Sequence, residues 1–198
     1  MRYSRVGVLV AGLAVLAGCG TGAPTTTSVA PGTAPSASTA PVGGTPSPAA
    51  PASAAVPTST KDVEVEGDPG EAVLVKTVRF ADHGSFDRVV IDLDGDVSSY
   101  SVRWVDELLQ DGSGEPIEVK GGAYLQATLK PANAHTDDGS PTWTGGPIFQ
   151  AALGNVQNVV KTGDFEGVVG VGLVLDHRAP FSVTELTGPD RLVIDVAH

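Results

Sequence analysis

The feature that most constrains this fold is a strand pattern that occurs twice in the sequence. Residues 86–93 read FDRVVIDL and residues 189–196 read PDRLVIDV, so that Asp, Arg, Val, Ile and Asp recur in the same register. Alternate residues of a β-strand point to opposite faces of a sheet. In each copy, one face therefore carries only apolar side chains and the other carries an Arg-x-Val-x-Asp row. The repeat predicts two β-strands, each with one buried face.

The Arg-x-Val-x-Asp rows suggest that the two copies are neighbours. If they pair antiparallel with their central valines opposite each other, Arg88 faces Asp195 and Asp92 faces Arg191. A cross-strand ion pair of this kind contributes about 0.2–1 kcal/mol. We therefore interpret these four residues as a structural strand pair.

The first copy and the residues after it can also be interpreted as a metal-binding loop. Asp92, Asp94, Gly95 and Asp96 resemble half of a calcium loop. A full EF-hand loop needs glycine at position six and a bidentate glutamate at position twelve. Counted from Asp92, the glycine stands at position four and position twelve is Arg103. A strand that ends in an Asp/Gly turn is favoured.

The sequence after residue 62 consists of further short strand patterns. Period-two patterns or short apolar runs, broken by Gly, Asp and Pro, occur at 71–80, 88–93, 98–105, 116–119, 123–129, 148–153, 167–175, 181–186 and 191–196. No window keeps a helical period over three turns, and 105–110 fits one turn at most. Several short strands with turn residues between them are typical of sandwiches and barrels. We predict an all-β domain, an antiparallel β-sandwich, at 63–198.

Two segments precede this domain. Residues 1–19 begin with Arg2 and Arg5 and continue into an apolar run that is too short to span a bilayer as a mature helix. This order predicts an export signal. Residues 20–62 are rich in Pro, Ala, Thr and Ser and almost free of charge. Such a composition cannot bury enough apolar surface to offset its ordering entropy, so a disordered linker is predicted.

Cys19 ends the signal segment and is the only cysteine in the chain. Residues 16–19, Leu-Ala-Gly-Cys, resemble the bacterial lipobox, in which the cysteine receives a diacylglyceryl group and becomes the first residue after cleavage. The resemblance implies a lipid anchor at Cys19 and a position on the extracellular face of the plasma membrane. An ordinary signal peptide with a chance cysteine is the alternative. A single cysteine also excludes an intramolecular disulfide and a CxxC site.

The net charge of the chain restricts the kinds of molecule that it can bind. After residue 19 the chain carries all 23 acidic residues and 10 of the 12 basic ones, a formal net charge of −13. A field of this sign repels nucleic acid and other polyanions. We therefore expect no nucleic-acid partner and favour a neutral or cationic one.

The closing strand at 189–196 resembles the terminal strand of AMIN domains, which are β-sandwich modules of the bacterial envelope. The whole arrangement is similar to the AMIN-like lipoproteins of actinobacteria. The matching positions are 86–90, 100–105, 111–114, 163–167, 180–181 and the final strand to His198. The resemblance implies a non-enzymatic module that targets proteins to the cell wall, with peptidoglycan or a wall-associated envelope protein as its partner.

Candidate ligand-binding residues concentrate in the polar loop between the fifth and sixth strand patterns. Trp143 lies in Pro-Thr-Trp-Thr-Gly-Gly, which has no apolar periodicity. An exposed tryptophan there would offer a flat surface for a sugar. His135, Asp137 and Asp138 form the best local cluster of polar side chains, although a solvated turn is the competing interpretation. We assign these four residues as the candidate ligand site.

The sequence contains none of the common catalytic motifs. The four histidines lack HExxH spacing, and neither GxSxG nor SxxK occurs. The glycines at 170 and 172 lie inside an apolar strand pattern, so they do not form a phosphate loop. We expect no enzymatic activity, no cofactor and no metal site. Two alternatives stay open: a protein-interaction module of an envelope assembly, and a wall hydrolase with an unfamiliar site.

Overall fold

The computed structural model describes residues 55–68 and 70–198. Eleven β-strands and no helix occur in this part of the chain. It therefore holds no helix that is long and apolar enough to cross a membrane. The predicted export signal, Cys19 and most of the predicted linker lie outside the described residues.

The strands form two sheets that pack face to face. In chain order they are β1 (Val63–Val65), β2 (Val73–Asp82), β3 (Phe86–Leu93), β4 (Ser99–Val105), β5 (Ala123–Lys130), β6 (Ala132–Asn133), β7 (Ile148–Gln150), β8 (Val156–Phe165), β9 (Val168–Leu175), β10 (Phe181–Leu186) and β11 (Arg191–Ala197). One sheet has the order β1-β4-β5-β9-β8-β7 and the other β10-β11-β3-β2-β6. Neighbouring strands are antiparallel except β2 and β6. The predicted all-β sandwich is confirmed.

The core lies between the sheets and is built from the apolar face of each strand. In β3 and β11 this face carries Val89, Ile91, Leu192 and Ile194, all fully buried. The six-stranded sheet contributes Val102, Leu125, Ala127, Leu129, Val171 and Leu173. Burial of one Val, Leu or Ile side chain contributes about 1.5–3 kcal/mol. Period-two alternation therefore decides which face of each strand packs inward.

The largest difference between predicted and observed elements is β8, which the sequence pattern did not predict. Its pairing with β9 shifts register after Val156 and again after Lys161. Each shift inverts the inside-out phase, so the alternation is lost. Strands β1 and β6 are too short to show a pattern. The predicted strand at 116–119 is wrong, because in the described chain that segment forms only an isolated bridge to Leu109.

The two copies of the repeated pattern are β3 and β11, and they lie side by side. They pair antiparallel with Val90 opposite Val193. Arg88 donates two hydrogen bonds to Asp195, from Nε at 2.7 Å and from Nη2 at 2.8 Å. The Asp195 side chain is only 6% exposed, so this is a partly buried, bidentate ion pair. Such pairs are stronger than single charged contacts at the surface.

The second expected pair, Asp92 with Arg191, is not formed. Asp92 accepts two hydrogen bonds from Arg79 of β2, at 2.6 and 2.9 Å. Arg191 instead donates from Nε to the carbonyl oxygen of Pro189 at 3.1 Å. The Arg79 hydrogen bonds hold the pKa of Asp92 below its ordinary value, and Arg191 adds a smaller electrostatic contribution. This pairing was mispredicted because β3 has two neighbouring strands, and the repeat involves only one.

A buried carboxylate joins the two sheets. Asp87 of β3 is fully buried. Its Oδ2 accepts hydrogen bonds from the backbone N–H groups of Asn155 and Val156, each at 2.7 Å, where the chain enters β8. Its Oδ1 lies 3.3 Å from the N–H of Gly154 and 2.8 Å from Nε2 of His198. Burial raises the pKa of Asp87, but these hydrogen bonds outweigh it and leave the pKa below the ordinary value.

The last residues before β1 lie against the sandwich. We call residues 57–62 the strap. The carbonyl oxygen of Ser59 accepts a hydrogen bond from the N–H of Phe181 at 2.7 Å, at the start of β10. The carbonyl oxygen of Thr60 accepts one from Nε1 of Trp104 at 2.9 Å, in β4. The strap therefore contacts both sheets, although it falls within the segment predicted as linker.

The substitution Asp87→Asn tests the buried junction. We expect it to lower the free energy of unfolding by about 3 kcal/mol, because one acceptor oxygen is replaced by a donor facing buried N–H groups. The contribution of the carboxylate is present above the ordinary aspartate pKa of about 4 and is lost as the pH falls through the lower folded pKa. Urea unfolding of the variant at several pH values should therefore show a flatter acid dependence.

Asp94→Asn is the control for this prediction. Asp94 forms an exposed ion pair with Lys76 at 3.0 Å. Exposed pairs contribute about 0–1 kcal/mol, so this variant should unfold almost like the original protein. Equal losses in the two variants would contradict the role assigned to Asp87.

Candidate functional site

A cleft of about 590 Å³ opens near one edge of the six-stranded sheet. Its walls are the segments 110–117 and 145–147 and the end of β8 at 161–165. We call it the β8 cleft. Two of these segments overlap stretches at 111–114 and 163–167 that carry the resemblance described above. Residues that are far apart in the sequence are thus brought into one cavity.

The side chain of Asp111 lies against Gly163 of β8, inside the cleft. A Cβ atom added at Gly170 would overlap the hydroxyl oxygen of Thr162 and would lie 2.9 Å from Oδ2 of Asp111. A Cβ atom at Gly163 would also overlap the Asp111 carboxylate. Only glycine leaves room at these two positions. Asp111 is exposed to solvent, but partial burial of its carboxyl group still raises its pKa. Its side chain forms no hydrogen bond with any other described residue.

Trp143 is not an exposed binding surface, contrary to the sequence-based expectation. It is 3% exposed and stacks on Phe149, with ring centroids 5.1 Å apart and planes 15° apart. Gly145 and Gly146 have φ values of 85° and 82°, which turn the loop back on itself. A Cβ atom at Gly146 would lie 2.7 Å from the Phe149 ring. The two glycines therefore allow the loop to close over the aromatic pair.

The buried tryptophan still supports the cleft from below. Lys161 of β8 places its Nζ 5.9 Å from the centroid of the Trp143 ring. The same Nζ lies 4.0 Å from Oδ2 of Asp164. A cation over an indole face is attracted by the ring quadrupole. Trp143 thus helps to position a charged group of the cleft wall, but its own face is covered.

The polar cluster before Trp143 divides into two parts. Nδ1 of His135 lies 2.8 Å from Oδ2 of Asp164, so this residue supports the cleft wall from behind. Asp138 accepts hydrogen bonds from the Thr136 hydroxyl and from the N–H of Ser140, which hold the pKa of Asp138 below its ordinary value. Asp138 therefore closes a turn, and Asp137 is exposed beside it. None of the four residues assigned from the sequence lines the cavity itself.

Phe165, which sequence reasoning did not assign, stands at the rim of the cleft. It is 55% exposed, the largest exposed fraction of any big apolar side chain in the described chain. Glu166 and Gly167, with φ values of 50° and 74°, form the two-residue turn between β8 and β9. Left-handed conformations at both positions are typical of a tight hairpin turn. An aromatic residue directly before such a turn was the available signal.

A second cleft of about 590 Å³ lies between residues 55–59 and the outer face of β10 and β11. Its charged groups are Arg88 and Asp195, which already bind each other. It therefore offers no unpaired charge to a ligand. The β8 cleft differs because Asp111 and Glu115 have no partner for their carboxylates in the described residues.

One group of side chains in the described residues approaches metal-binding geometry. Ligand atoms of Asp82, Asp87 and His198 lie within 4.8 Å of one another. Both oxygens of Asp87 already accept hydrogen bonds from N–H groups. An ion would have to displace these donors, so the geometry favours a structural role. The carboxylates of the β8 cleft do not form such a group among the described residues.

The fold and the site define a β-sandwich module with a polar surface cleft. The family model of the AMIN-like domain matches residues 73–198, so the chain belongs to the AMIN-like domain family. AMIN-like domains are non-catalytic binding or targeting modules of the cell envelope. The chain matched no curated protein and no solved structure.

The roles of the two aromatic residues can be separated by stability measurements. Trp143→Ala should lower the free energy of unfolding by about 3–5 kcal/mol, because it removes a buried aromatic side chain. Phe165→Ala should change it by less than about 0.5 kcal/mol, because the ring is largely in solvent. Thermal and urea unfolding of both variants would measure this. A stable Trp143→Ala variant would contradict the burial of the indole.

Proposed function

We propose that this chain is a membrane-anchored envelope lipoprotein whose AMIN-like domain binds peptidoglycan without catalysing a reaction. The observation that carries the proposal is the β8 cleft, in which an exposed aromatic ring stands beside unpaired polar groups. Membership of an envelope-associated family supports it. The function is attachment, so the relevant quantity is the affinity of the domain for the wall.

The cleft has the mixture of groups that a glycan or a short peptide requires. Phe165 supplies an apolar face at the rim, and such faces stack against sugar rings. Gln110, Asp111 and Lys161 supply an amide, a carboxylate and an ammonium group along the walls. Binding sites of this size combine an apolar surface with a few polar groups that fix orientation. The arrangement supports a small polar ligand that bears at least one flat face.

The topology supports a tethering role. The strap leads into β1 and is hydrogen-bonded to β4. Strand β1 lies at one edge of the six-stranded sheet. The cleft involves β8, which lies four strand spacings from β1. With neighbouring strands about 4.8 Å apart, the entry point and the cleft are separated by roughly 19 Å across the sheet. The point where the linker joins the domain therefore does not overlap the cleft, and an anchor at Cys19 would leave the cleft accessible.

Two weak attachments can give firm retention. The lipid holds the protein at the membrane, and a wall contact then forms at a high effective concentration. The linker sets that concentration through its length. Modest affinity in the cleft is therefore sufficient for the proposed function.

Sedimentation of the purified protein with insoluble peptidoglycan tests wall binding. Phe165→Ala should weaken the binding five- to tenfold, which corresponds to about 1–1.4 kcal/mol of lost stacking. Leu186→Ala is the matched control, because it removes a 37% exposed apolar side chain outside the β8 cleft. The same incubations should release no soluble wall fragments. The proposal fails if the protein does not sediment, and the site fails if Phe165→Ala binds like the control.

Cys19→Ser tests the anchor in cells that process lipoproteins. The variant should lose incorporation of a labelled fatty acid and should move from the membrane fraction to the soluble fraction. Ser28→Ala, a substitution in the linker, should change neither property. A Cys19→Ser protein that stays lipid-labelled would rule out this residue as the attachment site.

A protein partner is the second candidate function. The formal net charge of −13 after residue 19 favours a cationic surface on such a partner. A pull-down that recovers one stoichiometric envelope protein, from a preparation in which wall binding is absent, would favour this candidate.

A further inference from the structure

The charges of the β8 cleft do not balance. Asp164 is bound by His135 and by the N–H of Ala134, with Lys161 at 4.0 Å. Asp111 and Glu115 have no partner of this kind for their carboxylates among the described residues. The two groups lie on the same wall of one cavity. The cleft therefore holds two carboxylates that the protein itself leaves unpaired.

The position of Asp111 is fixed by its backbone. Its N–H donates to the carbonyl oxygen of Thr162 at 2.9 Å, which holds the loop on β8. The N–H of Gln110 donates to the carbonyl oxygen of Glu115 at 2.8 Å and closes the loop. Asp111 and Glu115 are thus placed by hydrogen bonds that do not involve their side chains.

A structural role does not account for the Asp111 carboxylate. Gly163 makes room for it, yet it receives no hydrogen bond there from any described residue. Partial burial raises the pKa of Asp111 above its ordinary value. A cation bound beside it would reverse this effect. An asparagine would fill the same space without the charge.

We infer that the β8 cleft recognises a primary ammonium group, with Asp111 and Glu115 as its anionic contacts and the Phe165 ring as the adjoining face. This inference rests on the proposed function of the cleft. A metal ion fits less well, because the cleft carboxylates do not cluster with a third ligand among the described residues. An ammonium group can bind two carboxylates and an aromatic face together. It can belong to a wall peptide or to an amino sugar.

Recognition of an ammonium group should also make the affinity of the cleft for its ligand depend on pH. Binding requires Asp111 to be ionised, so affinity should fall as the pH is lowered through its raised pKa. Glu115, Lys161 and Asp164 line the same cavity, and His135 contacts Asp164 from behind. An aliphatic ammonium group stays protonated throughout this range. In Asp111→Asn the acid-side loss of affinity should be smaller.

Amide NMR titration of the purified protein tests the inference directly. The probes are Nα-acetyl-lysine amide, with its side-chain amine free, and glucosamine. Their counterparts with an acetylated amine are the matched controls. At least one free amine should shift the signals of Gly163, Phe165 and Gly170, and the acetylated counterpart should bind at least fivefold more weakly. A response to lysine alone assigns a peptide source, and one to glucosamine alone assigns an amino sugar. Equal binding of the free and acetylated forms, or no shift with either amine, overturns the inference.

Two variants connect the titration to the carboxylates. Asp111→Asn and Glu115→Gln should each weaken amine binding at least fivefold, and Asp111→Asn should unfold at the same or a higher urea concentration than the original protein. Asp138→Asn, in the turn outside the cleft, should bind the probes normally. Unchanged amine binding in both cleft variants overturns the assignment.

Sedimentation with chemically acetylated peptidoglycan separates this inference from the proposed function. Loss of binding on acetylation supports both. Equal binding to native and acetylated wall leaves wall attachment in place and overturns the amine contact. If neither wall preparation binds but a free amine shifts the cleft signals, the proposed function fails and the ammonium site stands.

Discussion

The rest of this structure depends on one buried carboxylate, Asp87. A lone buried charge costs several kcal/mol, and here three backbone N–H groups and His198 compensate it. The Asn155 side chain extends the junction by donating to the carbonyl oxygen of Ala197 at 2.9 Å and accepting from the N–H of His177 at 3.2 Å. The ends of β9 and β11 and the start of β8 are fixed together. With Cys19 as the only cysteine, a disulfide cannot provide this link, and hydrogen bonds take its place.

Most of the strands and one strand pairing, that of β3 with β11, could be predicted from the sequence, because alternation and repetition are local properties. The two copies of the pattern present the same inside-out phase, and β3 and β11 pair in the corresponding register. The partner of Asp92 could not be predicted in the same way, since Arg79 comes from a third strand. Strand β8 could not be predicted because two register shifts remove its period-two alternation. Bulges are set by the neighbouring strand, and a single stretch of sequence does not reveal them.

The candidate site was harder to predict than the fold, because exposure is decided by tertiary contacts. Trp143 lies in a polar loop, yet Gly145 and Gly146 return that loop to the sandwich and cover the indole. Phe165 lies in a strand, where aromatic residues are usually half-buried, but the adjoining turn leaves it in solvent. The surroundings of Asp111 become apparent only in the fold, where Gly163 of β8 lies beneath its side chain. These three outcomes depend on residues that are distant in the sequence.

The strap also has a mechanical consequence. A pull on the chain from its N-terminal side loads the hydrogen bonds from Phe181 and Trp104 to the strap before it loads the core. Release of residues 57–62 would lengthen the connection by roughly 20 Å, at about 3.4 Å per residue, with both sheets still closed. A domain held at the membrane and at the wall would thus yield by a small extension first, and the β8 cleft would keep its shape while the two attachment points move apart.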